Sequence, residues 1–308
     1  MATTNPNFIV TTLPDYVQEN RDLLIKDVVF GAPTIGRITP QTGIKTSAKI
    51  NFLGADPVLQ NGEGCGFTPQ NTLELTQRTI ETALIKVNES ICPDTLLGKW
   101  AEYLVRIPEP QRAELPFEAY VIRVIRDAIR EKIEKLVWLG DTTSSDPDLK
   151  WINGFVTLAA ADNDTVKVSI ATGTPIWDAI KAVIAALPNE VVRRGNVRLF
   201  IAPELFLAFT LELVEKNLFH YNPGNAAPEE IYFPGTNFAV TSAAGLSGTG
   251  YIFASNVDNL YYGTDVEGAN EQFKVVYDEK DELFFVKVRW NSGVQYAFPD
   301  RVVLGTIA

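Results

Sequence analysis

Between Pro116 and Trp138 apolar residues return every three or four positions, with Ile122, Ile125, Ile129, Ile133 and Leu136 forming one stripe. Arg123, Arg126, Asp127, Arg130, Glu131, Glu134 and Lys135 fill the other faces, and no Gly or Pro interrupts the run after its first position. The pattern predicts a charged helix over 116–138, a rod of roughly 35 Å at 1.5 Å per residue. It follows the proline-rich IPEPQRAELP and ends at Gly140, where DTTSSDPD reads as a solvated loop. A shorter amphipathic segment is expected from Pro14 to Asp27. There Val17, Leu24 and Val28 keep helical spacing, and Gly31 and Pro33 break the run.

The periodicity changes between Ile35 and Ser90. IKTSAKINFL alternates in part, TLELTQRTIETALIKV is rich in β-branched and polar residues, and the turn-forming GADPVLQNGEGCGF lies between them. The expectation is a long, thin hairpin that is polar on both sides. Such an element buries little within its own subunit and offers open edges, so its natural place is against another chain. An ordinary hairpin on a sheet of the same domain is the alternative. From Thr174 to Gly263 helical and strand patterns alternate. Ile176, Ile180, Val183, Ile184 and Leu187 line one face of a helix ended by Pro188. VRLFIA reads as a buried strand, PELFLAFTLELVEKN as a second helix, and FAVTS, GYIFAS and NLYYGT as short strands. FKVVY and LFFVKVRW flank the charged turn DEKDE as a closing hairpin. No internal repeat or low-complexity tract is visible.

With 308 residues, 46% hydrophobic and 21% charged, the chain is long enough for a large core and two or more lobes. No stretch reaches the roughly 20 apolar residues that cross a bilayer. The start, MATTNPNFIVTTLPDYVQENRD, lacks the basic then apolar pattern of a secretory signal, so a soluble protein used without export is expected. Cys65 and Cys92 form no C-x-x-C pair and are expected as reduced thiols. The net charge of -11, with Arg193–Arg194 as the longest basic run, disfavours tight sequence-independent DNA binding. Catalytic motifs are absent. His220 is the single histidine, with no G-x-S-x-G or H-E-x-x-H. The glycine-rich stretches 62–66 and 245–250 lack the Walker lysine. Asp278, Glu279, Asp281 and Glu282 fall in a turn, where charge keeps a loop solvated. No catalytic, cofactor-binding or metal-binding residue is expected.

The sequence VWLGD, a polar loop and then WINGF bring a family into view. Trp138, Leu139, Gly140 and Asp141, followed by Trp151, Ile152, Asn153 and Gly154, resemble the end of the spine helix in HK97-like major capsid proteins of tailed double-stranded DNA phages. Ala297, Phe298, Pro299 and Asp300 resemble a phrase near the end of many capsid subunits, and the order of parts along the whole chain is similar. The resemblance implies an α+β HK97-like capsid fold. Its parts would be an N-terminal arm (1–34), an E-loop with adjoining strands (35–90) and a P domain with the spine helix (91–170). An A domain (171–268) and a return to the P domain (269–308) would follow. It implies a virion shell of hexamers and pentamers, assembled in the host bacterial cytoplasm, enclosing double-stranded DNA without sequence-specific binding and without a membrane. The implied partners are further copies, a separate scaffolding protein, a portal protein and a decoration protein. Ile44, Lys45, Ile50 and Phe52 are the expected E-loop contacts between subunits. Arg123, Arg126 and Arg130 are expected to pair with acidic groups on a neighbour or a sheet. Lys45 and Lys49 lie where some members crosslink, but no acidic catalyst or asparagine matches, so no crosslink is expected. An encapsulin-like compartment shares the fold. A soluble α/β enzyme or ligand-binding protein built on 174–263 is the alternative of a different class, and a tail-tube subunit is disfavoured by the long helix and total length.

Overall fold

The computed structural model describes residues 6–54, 74–92, 117–218, 230–265 and 272–308. The N-terminal arm holds helices α1 (Pro6–Glu19) and α2 (Arg21–Phe30), followed by the short strand β1 (Thr39–Gln41). Strands β2 (Ser47–Gly54), β3 (Glu74–Glu81) and β4 (Ala83–Ile91) come next, then the long helix α3 (Phe117–Leu139) and the short α4 (Phe155–Ala161). The second half runs β5 (Val166–Ile170), α5 (Ile176–Ala185), α6 (Asn189–Arg194), β6 (Val197–Ile201) and α7 (Pro203–Glu215). Strands β7 (Glu230–Tyr232), β8 (Ala239–Ser242), β9 (Tyr251–Asn256) and β10 (Leu260–Gly263) follow. The chain closes with β11 (Gln272–Asp278), β12 (Leu283–Tyr296) and β13 (Val303–Ile307).

Two sheets and one two-stranded ribbon result. The five-stranded sheet runs β1-β10-β12-β11, with β4 also paired to β12. Phe284, Val286, Val288 and Trp290 of β12 alternate onto its inner face, which the long helix and the arm cover with Ile122, Ile129, Ile133, Val17 and Val28. The six-stranded sheet runs β5-β13-β9-β6-β8-β7. Leu199 and Ile201 pack with Ile180, Val183 and Phe209 of α5 and α7, while Phe200 between them faces the long helix. Both faces of β6 are therefore buried, which explains why VRLFIA is continuously apolar.

Three expectations are corrected. The arm helix does not begin at Pro14 but at Pro6, with Pro14 inside it. Burial of Leu13 and Val17 on either side outweighs the missing backbone N–H, and the break falls at Asn20 instead. The TLELTQRTIETALIKV stretch is two strands divided at Thr82, because β3 pairs with β2 while β4 pairs with β12 through nine positions, from Ala83 to Ile91. Glu134 does not face solvent but is 1% exposed. The six-stranded sheet takes β5 and β13 from outside 171–268 and leaves β10 to the other sheet. Ala297–Asp300 is the crossing between sheets: Asn259 accepts from the N–H groups of Ala297 and Phe298 and donates to the Phe298 carbonyl.

The two sheets meet at the end of α3. Trp138 is fully buried, with ring centroids 4.9 Å from Phe200, 5.3 Å from Phe253 and 5.5 Å from Phe155. Immediately beyond it the chain crosses itself, and the Gly154 N–H donates to the Gly140 carbonyl at 2.8 Å. A Cβ on Gly154 would lie 2.5 Å from the Trp138 carbonyl oxygen, and one on Gly140 would lie 2.5 Å from that of Ile152. Backbone stands in the way at both positions, so no side-chain rotation relieves the clash. Gly154→Ala should therefore cost about 1–3 kcal/mol. Thermal unfolding should detect this as a melting temperature lower by at least about 2–4 °C, and an unchanged value would contradict the crossing.

Candidate assembly surface at the hairpin root and the arm

β2 and β3 form an antiparallel ribbon from Ser47↔Glu81 to Gly54↔Glu74, with no third strand among the described residues. Its root is fixed from three directions. Ile44 and Ile50, 3% and 8% exposed, pack with the fully buried Ile80 in a small core of their own. Asn291 donates to the carbonyls of Ile44 (3.3 Å) and Lys45 (3.0 Å), and Gln295 donates to that of Thr79 (3.1 Å). Backbone bonds from Thr82 to Thr46 and from Ile44 to Thr264 close the base.

The third fixing is ionic. Arg78 of β3 reaches Asp162, at the end of α4, at 2.7 Å and lies 5.0 Å over the Tyr296 ring. The Tyr296 hydroxyl donates to Asp162 at 3.0 Å. Burial pushes the Asp162 carboxyl up, but hydrogen bonds from Arg78, the Asp164 N–H and Tyr296, with the Arg78 charge, hold it below the usual range. Burial is also the main cause that pushes the Tyr296 phenol up to about 12, so the ring stays a neutral donor. The sign follows. A depressed carboxyl contributes stability above the unfolded pKa of about 3.9, and loses it as pH falls through the lower folded value.

A second set of contacts docks the arm on α3. Asp27 of α2 takes an ion pair from Arg126 and another from Arg130. The Arg130 guanidinium also donates twice to the Asp27 carbonyl, at 2.9 and 2.8 Å. One turn on, Glu134 accepts from the Thr34 N–H at 3.2 Å and from the Thr34 hydroxyl. Trp138 Nε1 donates to the Thr34 hydroxyl at 2.9 Å and to Glu134 at 3.3 Å. Burial pushes the Glu134 carboxyl up, against these bonds and the Arg37 charge.

The expected contact residues thus lie in two places. Ile44 and Ile50 are already occupied at the ribbon's root, where the alternation of β2 turns Ile50 toward Ile80 and Ile44, just before the strand, packs with both. Lys45 is exposed beside them, and Phe52 stands further out on β2, opposite Thr76. Arg126 and Arg130 pair with the arm of their own chain, and Arg123 stands 5.7 Å over the Tyr120 ring. Arg78, Asp162, Tyr296 and Asn291 carried no sequence signal, because their partners lie up to about 250 positions away. Cys92 is an exposed thiol, whereas Cys65, His220 and the 62–66 stretch lie outside the described residues. Asp278 to Glu282 form the β11–β12 turn, and 245–250 is a loop beside α3. Among the described residues no group of three or more His, Cys, Asp or Glu could hold a metal, and no helix is long and apolar enough to cross a membrane.

No protein-family model and no curated protein matches the sequence. Solved structures do match the fold. One is the procapsid of satellite phage P4 with its size determination (Sid) protein, at 12% identity and a TM-score of 0.64, covering 93% of this chain and 90% of that one. A Gordonia phage Cozz chain gives 12% and 0.56 over 90% and 86%. A virus-like particle from Pyrococcus furiosus gives 10% and 0.53 over 93% and 97%. The chain therefore has the fold from which these particles are built. That fold is the HK97-like α+β capsid fold, present here over nearly the whole length.

Asp162→Asn should lower stability by about 1–2 kcal/mol at neutral pH. Urea titrations at pH 7 and pH 3 should show the gap closing in acid, and a gap independent of pH would rule out the ionic fixing. Glu134→Gln mimics the protonated carboxyl, with one acceptor oxygen and one donor in place of two acceptors, and carries no buried charge. Because the folded carboxyl binds its proton more tightly than the unfolded one, stability falls as pH rises above about 4.3. The variant should match the wild type below that pH and exceed it at neutral pH. A variant less stable at pH 7 would show that the charge itself is required.

Proposed function

We propose that this chain is the major capsid protein of a tailed bacteriophage, a subunit that assembles with its own kind into hexamers and pentamers. The observation that carries the reading is the fold match to shell particles over 93% of the chain, with little left over for another role. The closed shell would form in the host cytoplasm and enclose double-stranded DNA as part of the virion. A separate scaffolding protein, a portal protein and a decoration protein would be its partners. Closed symmetry asks each subunit for complementary surfaces, and the ribbon β2–β3, fixed at its root and paired to no other strand among the described residues, supplies one. Lys45 and Lys49, both exposed, and Phe52, further out on β2, are its candidates for contact. Ile44 and Ile50 orient it from within, and Arg126 and Arg130 hold the arm against the long helix. The similarity to the Pyrococcus furiosus particle favours a second reading, an encapsulin-like compartment that holds protein cargo in place of DNA.

Electron microscopy of the purified protein tests the reading: uniform shells or ring-shaped capsomers are expected, and their nucleic-acid or protein content separates the two readings. A protein that stays monomeric under every condition would overturn both. The register gives a sharper variant. Ile50 and Arg78 face each other, so replacing residues 51–77 by Asn-Gly shortens the ribbon yet keeps Ile44, Ile50, Ile80 and the Arg78–Asp162 pair. This variant should fold with unchanged near-ultraviolet circular dichroism and fail to close shells. Normal shells would remove the ribbon from assembly.

A further inference from the structure

The outer face of the five-stranded sheet carries a charge pattern that folding alone does not favour. Along β12 the inward residues are Phe284, Val286 and Val288, which turns Lys287 and Arg289 outward. In register, Lys274 of β11 lies directly opposite Lys287, and Lys86 of β4 lies directly opposite Arg289. Like charges facing each other across strands destabilise a sheet. Here two such pairs sit side by side, in a chain with 38 acidic and 27 basic residues. None of the four cations has a side-chain ion pair or hydrogen bond among the described residues. The acidic group that shares this face on β11 is Asp278, about 13 Å along the strand from Lys274.

Apolar side chains border the cations. Phe285 is 38% exposed beside Lys287, and Leu84 (42%) and Trp151 (45%) rim a shallow depression of about 290 Å³ that Lys86, Lys287 and Arg289 complete. Exposed Trp and Arg around a small depression match the anchors of protein–protein contacts. A phosphate backbone would use the charges and leave the apolar border uncovered.

We propose that this face is a docking surface for an acidic, apolar-bearing surface of a second copy of this chain. The inference rests on the capsid reading and adds a place to it. The occupant follows from charge: a subunit with a net charge of -11 repels its copies except where a cationic face meets an acidic one. The four clustered cations are a local exception to that repulsion, and a neighbour's carboxylates would offset the strain of the two like-charge pairs.

Lys86→Glu with Lys287→Glu tests this, because it turns both cross-strand pairs into opposite-charge pairs and brings the four-residue cluster to zero net charge. The monomer should melt at the same temperature or about 1–3 °C higher, while shell yield falls at least tenfold and the concentration needed for assembly rises. A residue with a purely structural role would not separate the two readouts in this direction. Lys274→Glu with Arg289→Glu makes the same neutralisation from the opposite partners and should behave alike. Failure of both variants to fold would overturn the proposal, because the cations would then serve the fold. Shells of wild-type yield would overturn it and leave the capsid reading standing, whereas a wild type that never assembles would overturn both. If the wild type binds a duplex DNA fragment, the first variant loses that binding and shells still form, the face belongs to nucleic acid and the proposal fails.

Discussion

The burial of Trp138 at the end of the long helix is the constraint on which the rest of the subunit depends. One side chain touches aromatic residues from α4, β6 and β9, so it joins a helix that belongs to one sheet to the core of the other. Interiors packed at crystal density leave such a ring few alternative positions. The Gly140–Gly154 crossing then fixes where the chain goes after the ring is buried. A helix of 23 residues amplifies any angular error at its end, so the relative orientation of the sheets is set at this junction more than anywhere along the rod.

Polar contacts perform the matching task for the parts that project. The ribbon buries only a small core of its own around Ile50 and Ile80, too little to set its direction by burial alone. Asp27 between Arg126 and Arg130, Thr34 on Glu134, and Asp162 between Arg78 and Tyr296 each supply directional bonds at the point of departure. Partly buried bonds to charged groups are stronger and more geometrically selective than neutral ones. The cost is visible at Glu134, where burial raises the carboxyl even though Thr34 and Trp138 satisfy it.

The elements that depend on local periodicity were legible before any coordinates. The helix expected over 116–138 spans Phe117–Leu139, and VRLFIA, PELFLAFTLELVEKN and the closing hairpin lie where their patterns placed them. The failures share a physical cause, which is long-range pairing. A Glu in a charged helix reads as solvated, and only Thr34, 100 positions away, makes its burial tolerable. The inner core that Ile44 and Ile50 form with Ile80, beside the Asn291 amide, is likewise invisible to periodicity. The split at Thr82 shows the same limit: β3 and β4 carry one continuous strand pattern, yet they pair with β2 and β12 respectively. Likewise, β13 joins the six-stranded sheet by pairing with β5 and β9, which its own sequence cannot specify.

An identity of 12% at a TM-score of 0.64 over nearly the whole chain fits this division of labour. The architecture asks for an apolar helix stripe, alternating strands and one close backbone crossing, requirements that many sequences meet. What it leaves open is the chemistry of the outward faces. The chain carries a net charge of -11, yet the cations of β4, β11 and β12 gather on one sheet surface beside Trp151, where the proposed contacts would be ionic. Screening weakens such contacts as salt rises, whereas the Trp138 junction depends on packing and is insensitive to it. Under the proposed docking, folding and association would rest on different forces, and each could change with little effect on the other.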